Sequence, residues 1–244
     1  MDDLTLKDCH PKWSIWDVSL VLAALLLLLP FSAMVKKPLL MFLTKQELNP
    51  SQGMMLLIGT AVQAGIMIAT ALILLRRKGA GLRELGFIWV RPVQDIITGI
   101  WSGVLLCFAV IGVGIVMSLI AGPPPPQDVE LLLQGFKTGK DMWLPFISIS
   151  ILAPISEEVY FRGMAYPVIR ARLGPIPAMV VSALFFGSLH MDLYRLLPIS
   201  LGGIGLAYLY ERTGSLVTPI VAHSVWNTLM MGFLYMASNV LQSI

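Results

Sequence analysis

The stretch Ile151-Leu-Ala-Pro-Ile-Ser-Glu-Glu-Val-Tyr-Phe-Arg162 places two adjacent carboxylates, Glu157 and Glu158, in an otherwise apolar run. A charge at the centre of a membrane helix costs roughly 2.5–3.5 kcal/mol on the insertion scale, and such residues usually mark a functional site. Two further apolar runs each carry a histidine, in Phe186-Gly-Ser-Leu-His190 and His223-Ser-Val-Trp-Asn227. The sequence therefore predicts a polar site assembled inside a bundle of hydrophobic helices.

The composition is typical of a membrane protein. Of the 244 residues, 57% are hydrophobic and 13% are charged, whereas soluble domains carry about 25% charged residues. The apolar runs are long and continuous rather than alternating, which favours helices over a closed barrel. The net charge of +3 comes without a basic stripe, so we expect no binding of nucleic acid.

The predicted fold class is all-α, a polytopic membrane helix bundle of about seven transmembrane helices with the active site inside the bundle. We expect a single integral membrane domain over residues 1–244, with a catalytic core over residues 147–231 that carries the three polar motifs. A transmembrane helix needs about 20 apolar residues. The candidate spans are residues 18–35, 53–75, 96–121, 142–161, 175–189, 196–210 and 216–236.

Basic residues predict the orientation of the chain, because cytoplasmic loops are enriched in lysine and arginine. The loop from Arg76 to Arg91 holds five of them. We therefore expect this loop and the N-terminus to be cytoplasmic, in an integral protein of the plasma (inner) membrane or an endomembrane. Alternation of the spans predicts a second cytoplasmic loop at residues 162–172.

Helix geometry separates the roles of the two glutamates. Glu158 and Arg162 are four residues apart with the acid first, which is the favourable order for an ion pair on one helix face. Neighbouring residues point about 100° apart, so Glu157 lies on a different face. The spacing predicts a supporting ion pair for Glu158 and Arg162 and a chemical role for Glu157.

The polar residues together provide the groups that peptide hydrolysis needs. A carboxylate such as Glu157 can act as a general base on water, and a histidine can orient that water. A second histidine and an asparagine amide can donate hydrogen bonds to a developing oxyanion. His190, His223 and Asn227 supply these groups, although each of them taken singly is often only a packing or hydrogen-bonding residue in a membrane helix.

Three motifs resemble those of one known family. They are Glu157-Glu158-x-x-x-Arg162, Phe186-x-x-x-His190 and His223-x-x-x-Asn227. Their types and order resemble the CPBP family, also called Abi, which contains the CAAX prenyl endopeptidases and bacteriocin-processing proteins. The resemblance covers about residues 147–231, and the first two spans carry no motif.

The resemblance implies an all-helical intramembrane endopeptidase of the glutamic type. In such an enzyme Glu157 and His190 would hold the attacking water, while His223 and Asn227 would stabilise the oxyanion. We expect no cofactor; a catalytic zinc held by Glu157, His190 and His223 remains an alternative. The expected partners are membrane lipids and a peptide or membrane-protein substrate, with or without an attached lipid.

Three other functions compete with the protease. A non-catalytic immunity or scaffold protein would keep the fold and bind a peptide or partner. A transporter could relay protons through Glu and His, but the internal repeats common in transporters are not evident. A haem protein ligated by His190 and His223 would leave the two glutamates unexplained.

The predicted spans place the motifs at different depths in the membrane. At 1.5 Å per residue, Glu157 and His223 lie at a similar modest depth from the inner face, whereas His190 lies near the outer end of the short fifth span. For the three residues to meet, either the segment from Gly163 to Gly174 enters the membrane or the predicted boundaries are shifted.

Overall fold

The computed structural model describes residues 11–28, 51–88, 91–127, 130 and 143–242. The regular elements in these residues are helices, and the predicted all-α membrane bundle is confirmed. Among the residues that the structure describes, four helices are long and apolar enough to cross a membrane: α2, α3, α4 and the part of α7 up to Ala237. The helices are α1 (Ile15–Leu28), α2 (Gln52–Arg77), α3 (Pro92–Ala121), α4 (Trp143–Leu173), α5 (Pro175–Ser188), α6 (Leu196–Thr213) and α7 (Val217–Gln242).

The fourth helix is longer than predicted. The sequence indicated a span ending at residue 161 and a loop over residues 162–172, and these boundaries were wrong because α4 continues as a helix to Leu173. The cytoplasmic location of this segment stays a prediction. Two of the three basic side chains that suggested a loop are paired with carboxylates within the bundle. Arg162 is paired with Glu158, and Arg170 donates two hydrogen bonds of 2.7 Å to Glu211 of α6.

Two π-helical segments widen α4, at Ser148–Leu152 and Val159–Ala165. Each segment ends two residues before a proline, Pro154 or Pro167. A proline inside a helix lacks an N–H donor, and its ring clashes with the carbonyl group four residues earlier. In both cases that carbonyl group lies in the widened segment. The π turns therefore accommodate both prolines within one continuous helix.

Close contact between helices α3 and α7 fixes the position of the third motif. A Cβ atom added at Gly103 would lie 2.5 Å from the carbonyl oxygen of Ala222, and one at Gly99 would lie 2.7 Å from Val221. Small residues at such positions let membrane helices approach closely. Because Ala222 immediately precedes His223, this contact sets the depth and rotation of the histidine.

The loop between α2 and α3 anchors the start of α7. Leu85 is fully buried, and its carbonyl oxygen accepts a 3.0 Å hydrogen bond from the Tyr210 hydroxyl. The Leu216 N–H donates to the carbonyl oxygen of Gly86 at 2.7 Å. Gly86 has a φ of +94°, and a Cβ atom there would lie 2.7 Å from the Tyr210 ring, so glycine is required at this position.

Candidate active site

The carboxylate of Glu158 and its partner Arg162 together join three helices at the centre of the site. Oε1 of Glu158, on α4, accepts a 2.7 Å hydrogen bond from Nη1 of Arg162 and a 2.8 Å hydrogen bond from Nδ1 of His223, on α7. Nη2 of Arg162 donates to the carbonyl oxygen of Gly203 on α6 at 2.9 Å. Glu158 and Arg162 are almost completely buried, so these contacts are shielded from water.

The contact between Glu158 and His223 is a feature that sequence reasoning missed. The ion pair with Arg162 follows from the spacing of four residues, whereas His223 lies 65 residues farther along the chain. Only the packing of α7 against α4 brings the two side chains together. Glu158 therefore positions a motif histidine in addition to supporting its own helix.

Hydrogen bonding fixes the proton on one nitrogen of His223. A carboxylate accepts hydrogen bonds but does not donate them, so Nδ1 of His223 carries the proton that Glu158 accepts. Nε2 is then left facing Oε2 of Glu157, 3.8 Å away. The ring stacks on Trp226 at a centroid distance of 5.4 Å, which holds its plane in place.

His190 lies on the turn that follows α5, two residues beyond its last residue. Its Nδ1 is 3.0 Å from the carbonyl oxygen of Phe186, and because a carbonyl group only accepts hydrogen bonds, Nδ1 carries the proton. Nε2 of the neutral ring is therefore an acceptor.

The predicted fifth span extended to residue 189, whereas the helix ends at Ser188. The turn that follows brings His190 to the cavity that Glu157 and His223 line.

Phe186 organises the space between the charged groups. Its ring meets His190 and His223 edge to face, at centroid distances of 4.9 and 5.7 Å. The Arg162 guanidinium lies 4.8 Å from the same ring, within the range of a cation–π contact. The Phe186 ring thus packs against both imidazoles without offering either of them a competing hydrogen bond.

Asn227 is held by the first π-helical segment of α4. Its Nδ2 donates a 2.9 Å hydrogen bond to the carbonyl oxygen of Ile149. In this segment the N–H of Ala153 bonds to Ser148, five residues back, so the next bond in the series would join residue 154 to Ile149. Residue 154 is proline, which has no N–H. Asn227 supplies the missing donor and keeps its second N–H for another acceptor.

All four predicted catalytic side chains line one cavity of about 550 Å³. They come from two helices, α4 for Glu157 and α7 for His223 and Asn227, and from the turn after α5 for His190. The side chain of Glu157 is 19% exposed, which leaves its carboxylate accessible to water. The arrangement combines two hydrogen-bond acceptors, Glu157 and Nε2 of His190, with polar groups of α7 on the same cavity.

The zinc alternative requires three ligand side chains close enough to bind one ion. Within the described parts of the chain, no three His, Cys, Asp or Glu side chains are grouped so that they could hold a metal ion. Glu157, His190 and His223 share a cavity, and both imidazoles contact the ring of Phe186.

Comparison with known proteins agrees with the resemblance seen in the motifs. Residues 139–229 match the family model described as type II CAAX prenyl endopeptidase Rce1-like. This segment contains all three motifs, and the predicted resemblance to this family is confirmed over it. No solved structure gave a significant match to the chain.

Individual relatives match mainly over the same region. The chain is 35% identical to "Putative membrane peptidase YdiL" of Bacillus subtilis over 88 residues, 36% of each chain. It is 32% identical to human CAAX prenyl protease 2 over 103 residues, 34% of this chain and 31% of the human protein. A 24.3 kDa protein of Escherichia coli is 30% identical over 54% of this chain and 63% of its own length. The chain thus spans about a third of the length of the first two relatives.

The substitution Glu158→Gln tests the central carboxylate. It leaves Arg162 buried without a counter-charge, and breaking a buried pair in this way costs about 3–5 kcal/mol. We expect a clear fall in the thermal unfolding temperature of the purified protein in detergent. Glu84→Gln is the matched control, because the Glu84–Lys12 pair is exposed and such pairs contribute little. Equal unfolding temperatures for the two variants would contradict the structural role of Glu158.

Proposed function

We propose that the protein is an intramembrane endopeptidase that hydrolyses a peptide bond through glutamate-activated water. The observation that supports this most strongly is that Glu157, His190, His223 and Asn227 line one cavity, within the segment that matches a family of endopeptidases. The full activity is a proposal for the whole chain, since the relatives match over only part of their length.

In the proposed reaction, Glu157 and His190 position and activate the attacking water. Glu157 accepts one proton of the water, and Nε2 of His190 accepts a hydrogen bond from the other. The oxygen lone pair is then directed at the carbonyl carbon of the substrate. Because Nδ1 of His190 is already bonded to Phe186, the histidine presents the correct nitrogen without rearrangement.

His223 and Asn227 stabilise the oxyanion that forms when water adds to the carbonyl group. Asn227 uses the N–H that is not bonded to Ile149. Nδ1 of His223 already donates to Glu158, so its Nε2 can also donate only when the ring is an imidazolium. Collapse of the tetrahedral intermediate breaks the C–N bond, and the proton held by Glu157 passes to the leaving nitrogen.

The proposed substrate is a membrane-associated peptide or the tail of a membrane protein. The cavity wall contributed by α3 is apolar, with Val110 and Ile111 among its residues, and it suits a segment that partitions into the bilayer. The human relative is named for prenylated substrates, and we extend that class to this chain as substrates with or without a lipid. The surrounding partners are membrane lipids.

The substitution Glu157→Gln tests the proposed general base. It preserves the size of the side chain but removes its capacity to accept a proton, so we expect cleavage of a quenched reporter peptide to fall on the order of 100-fold or more. Thermal stability should stay close to that of the unmodified protein, as for the control Glu84→Gln. A stable and fully active Glu157→Gln protein would contradict this mechanism and favour the scaffold function.

We also propose that hydrolysis needs no metal ion. Activity should survive dialysis against a strong chelator, with the residual zinc measured by elemental analysis. Glu157 activates water as a base in this mechanism, and no step needs a Lewis acid. Loss of activity with removal of stoichiometric zinc, and recovery when zinc is returned, would show that this part of the proposal is wrong.

The proposed orientation places the N-terminus and the Arg76–Arg91 loop in the cytoplasm, because this loop is rich in basic residues. Leu82 is 53% exposed in the loop, so a single cysteine at Leu82→Cys, in a protein with Cys9 and Cys107 replaced by serine, reports its side. We expect a membrane-impermeant maleimide to label it only after the cells are permeabilised. Labelling of intact cells would reverse the orientation.

A further inference from the structure

A second, smaller cavity lies against the candidate active site. It has a volume of about 320 Å³ and is enclosed by α1, α2, α4 and α5. Glu157, Phe186 and His190 line both cavities. The two cavities therefore adjoin at the residues proposed to hold the attacking water.

The walls of the smaller cavity are mostly apolar, with leucines from α1 and Met67 from α2. Gln63, one helical turn before Met67, also lines it. The Gln63 side chain forms no hydrogen bond with any residue that the structure describes. Gln63 is partly buried, and its amide is therefore available to a polar group that enters the cavity.

The chemistry of the amide identifies that occupant. A glutamine amide has a carbonyl acceptor beside N–H donors, which matches the N–H and C=O groups of a peptide main chain. An isoprenoid or alkyl chain would fill the apolar volume but would leave Gln63 unpaired. The smaller cavity thus favours a peptide residue with an apolar side chain over a bare hydrocarbon chain.

We propose that Gln63 binds the substrate main chain beside the scissile bond, and that the apolar side chain of the same substrate residue occupies the smaller cavity. This inference rests on the proposed function. The substrate then extends from the larger cavity to the smaller one and passes the water held by Glu157 and His190. Helix α2, which carries none of the three motifs, becomes part of the substrate-binding surface.

A binding experiment separates the peptide from a hydrocarbon occupant. The Glu157→Gln protein in lipid nanodiscs is titrated with an apolar decapeptide carrying photo-leucine, and cross-links to Met67 are quantified by mass spectrometry. Adding Gln63→Leu should raise the half-saturating peptide concentration about tenfold, the order expected for one hydrogen bond. Cross-linking by a photoactivatable hexadecyl chain should be unchanged or stronger. Thr70→Val, on the same helix but on neither cavity wall, should alter neither titration.

A cleavage experiment tests which substrate atoms Gln63 contacts. Ester bonds replace, one at a time, the peptide bonds that flank the scissile bond of a reporter peptide, and each loses one N–H donor. In the unmodified protein, the ester at the position that Gln63 contacts should lower kcat/KM about tenfold relative to the all-amide peptide. In the Gln63→Leu protein, the same ester should change kcat/KM little. Equal losses in both proteins at every position, or stronger peptide cross-linking in the Gln63→Leu protein, would overturn the proposal. Peptide binding that depends on Gln63 without any cleavage would contradict the proposed hydrolysis and leave this inference standing.

Discussion

The buried carboxylate of Glu158 is the constraint on which the rest of the site depends. It accepts from a guanidinium on its own helix and from an imidazole on α7, and through Arg162 it is linked to α6. In a low-dielectric interior, any arrangement of the helices that separated these groups would leave a charge unpaired. One carboxylate therefore selects a single relative position of α4, α6 and α7, and with it the direction of the His223 ring.

The prolines of α4 have a role in building the site as well as in shaping the helix. Pro154 removes one backbone donor, the π segment before it relieves the steric clash, and the unpaired carbonyl group of Ile149 becomes the acceptor for Asn227. Backbone groups in a membrane need partners within the protein. The carbonyl group that Pro154 leaves without a backbone donor thus accepts its hydrogen bond from the Asn227 side chain. This bond fixes the rotamer of Asn227 in the absence of substrate.

Features that depend on the spacing of residues along one helix could be predicted from the sequence. Features that depend on contacts between helices could not. The long apolar runs and the i, i+4 motifs were sufficient for the helical class and for the Glu158–Arg162 contact. The boundary of α4 was wrong because Arg162 and Arg170 resemble loop residues until their partners on other helices are known. Gln63 gave no signal, since a lone glutamine in an apolar helix is informative only when the cavity beside it is visible.

Charge conservation links the buried pair to the chemistry proposed for the cavity. With His223 as an imidazolium, Glu157 and Glu158 are balanced by Arg162 and His223, and the cluster is neutral. In the proposed reaction, Glu157 would lose its negative charge as it accepts a proton from water, and a negative charge would appear on the oxyanion beside His223 and Asn227. The net charge of the cluster and substrate would not change, because the negative charge would only move from Glu157 to the oxyanion on the same cavity. In an interior where isolated charge is costly, fixed donors at both ends of this short transfer stabilise the transition state without the reorganisation that water would need. In this proposed reaction Glu158 would touch no reacting atom, and its part would be to hold the His223 ring beside the oxyanion through the hydrogen bond to Nδ1.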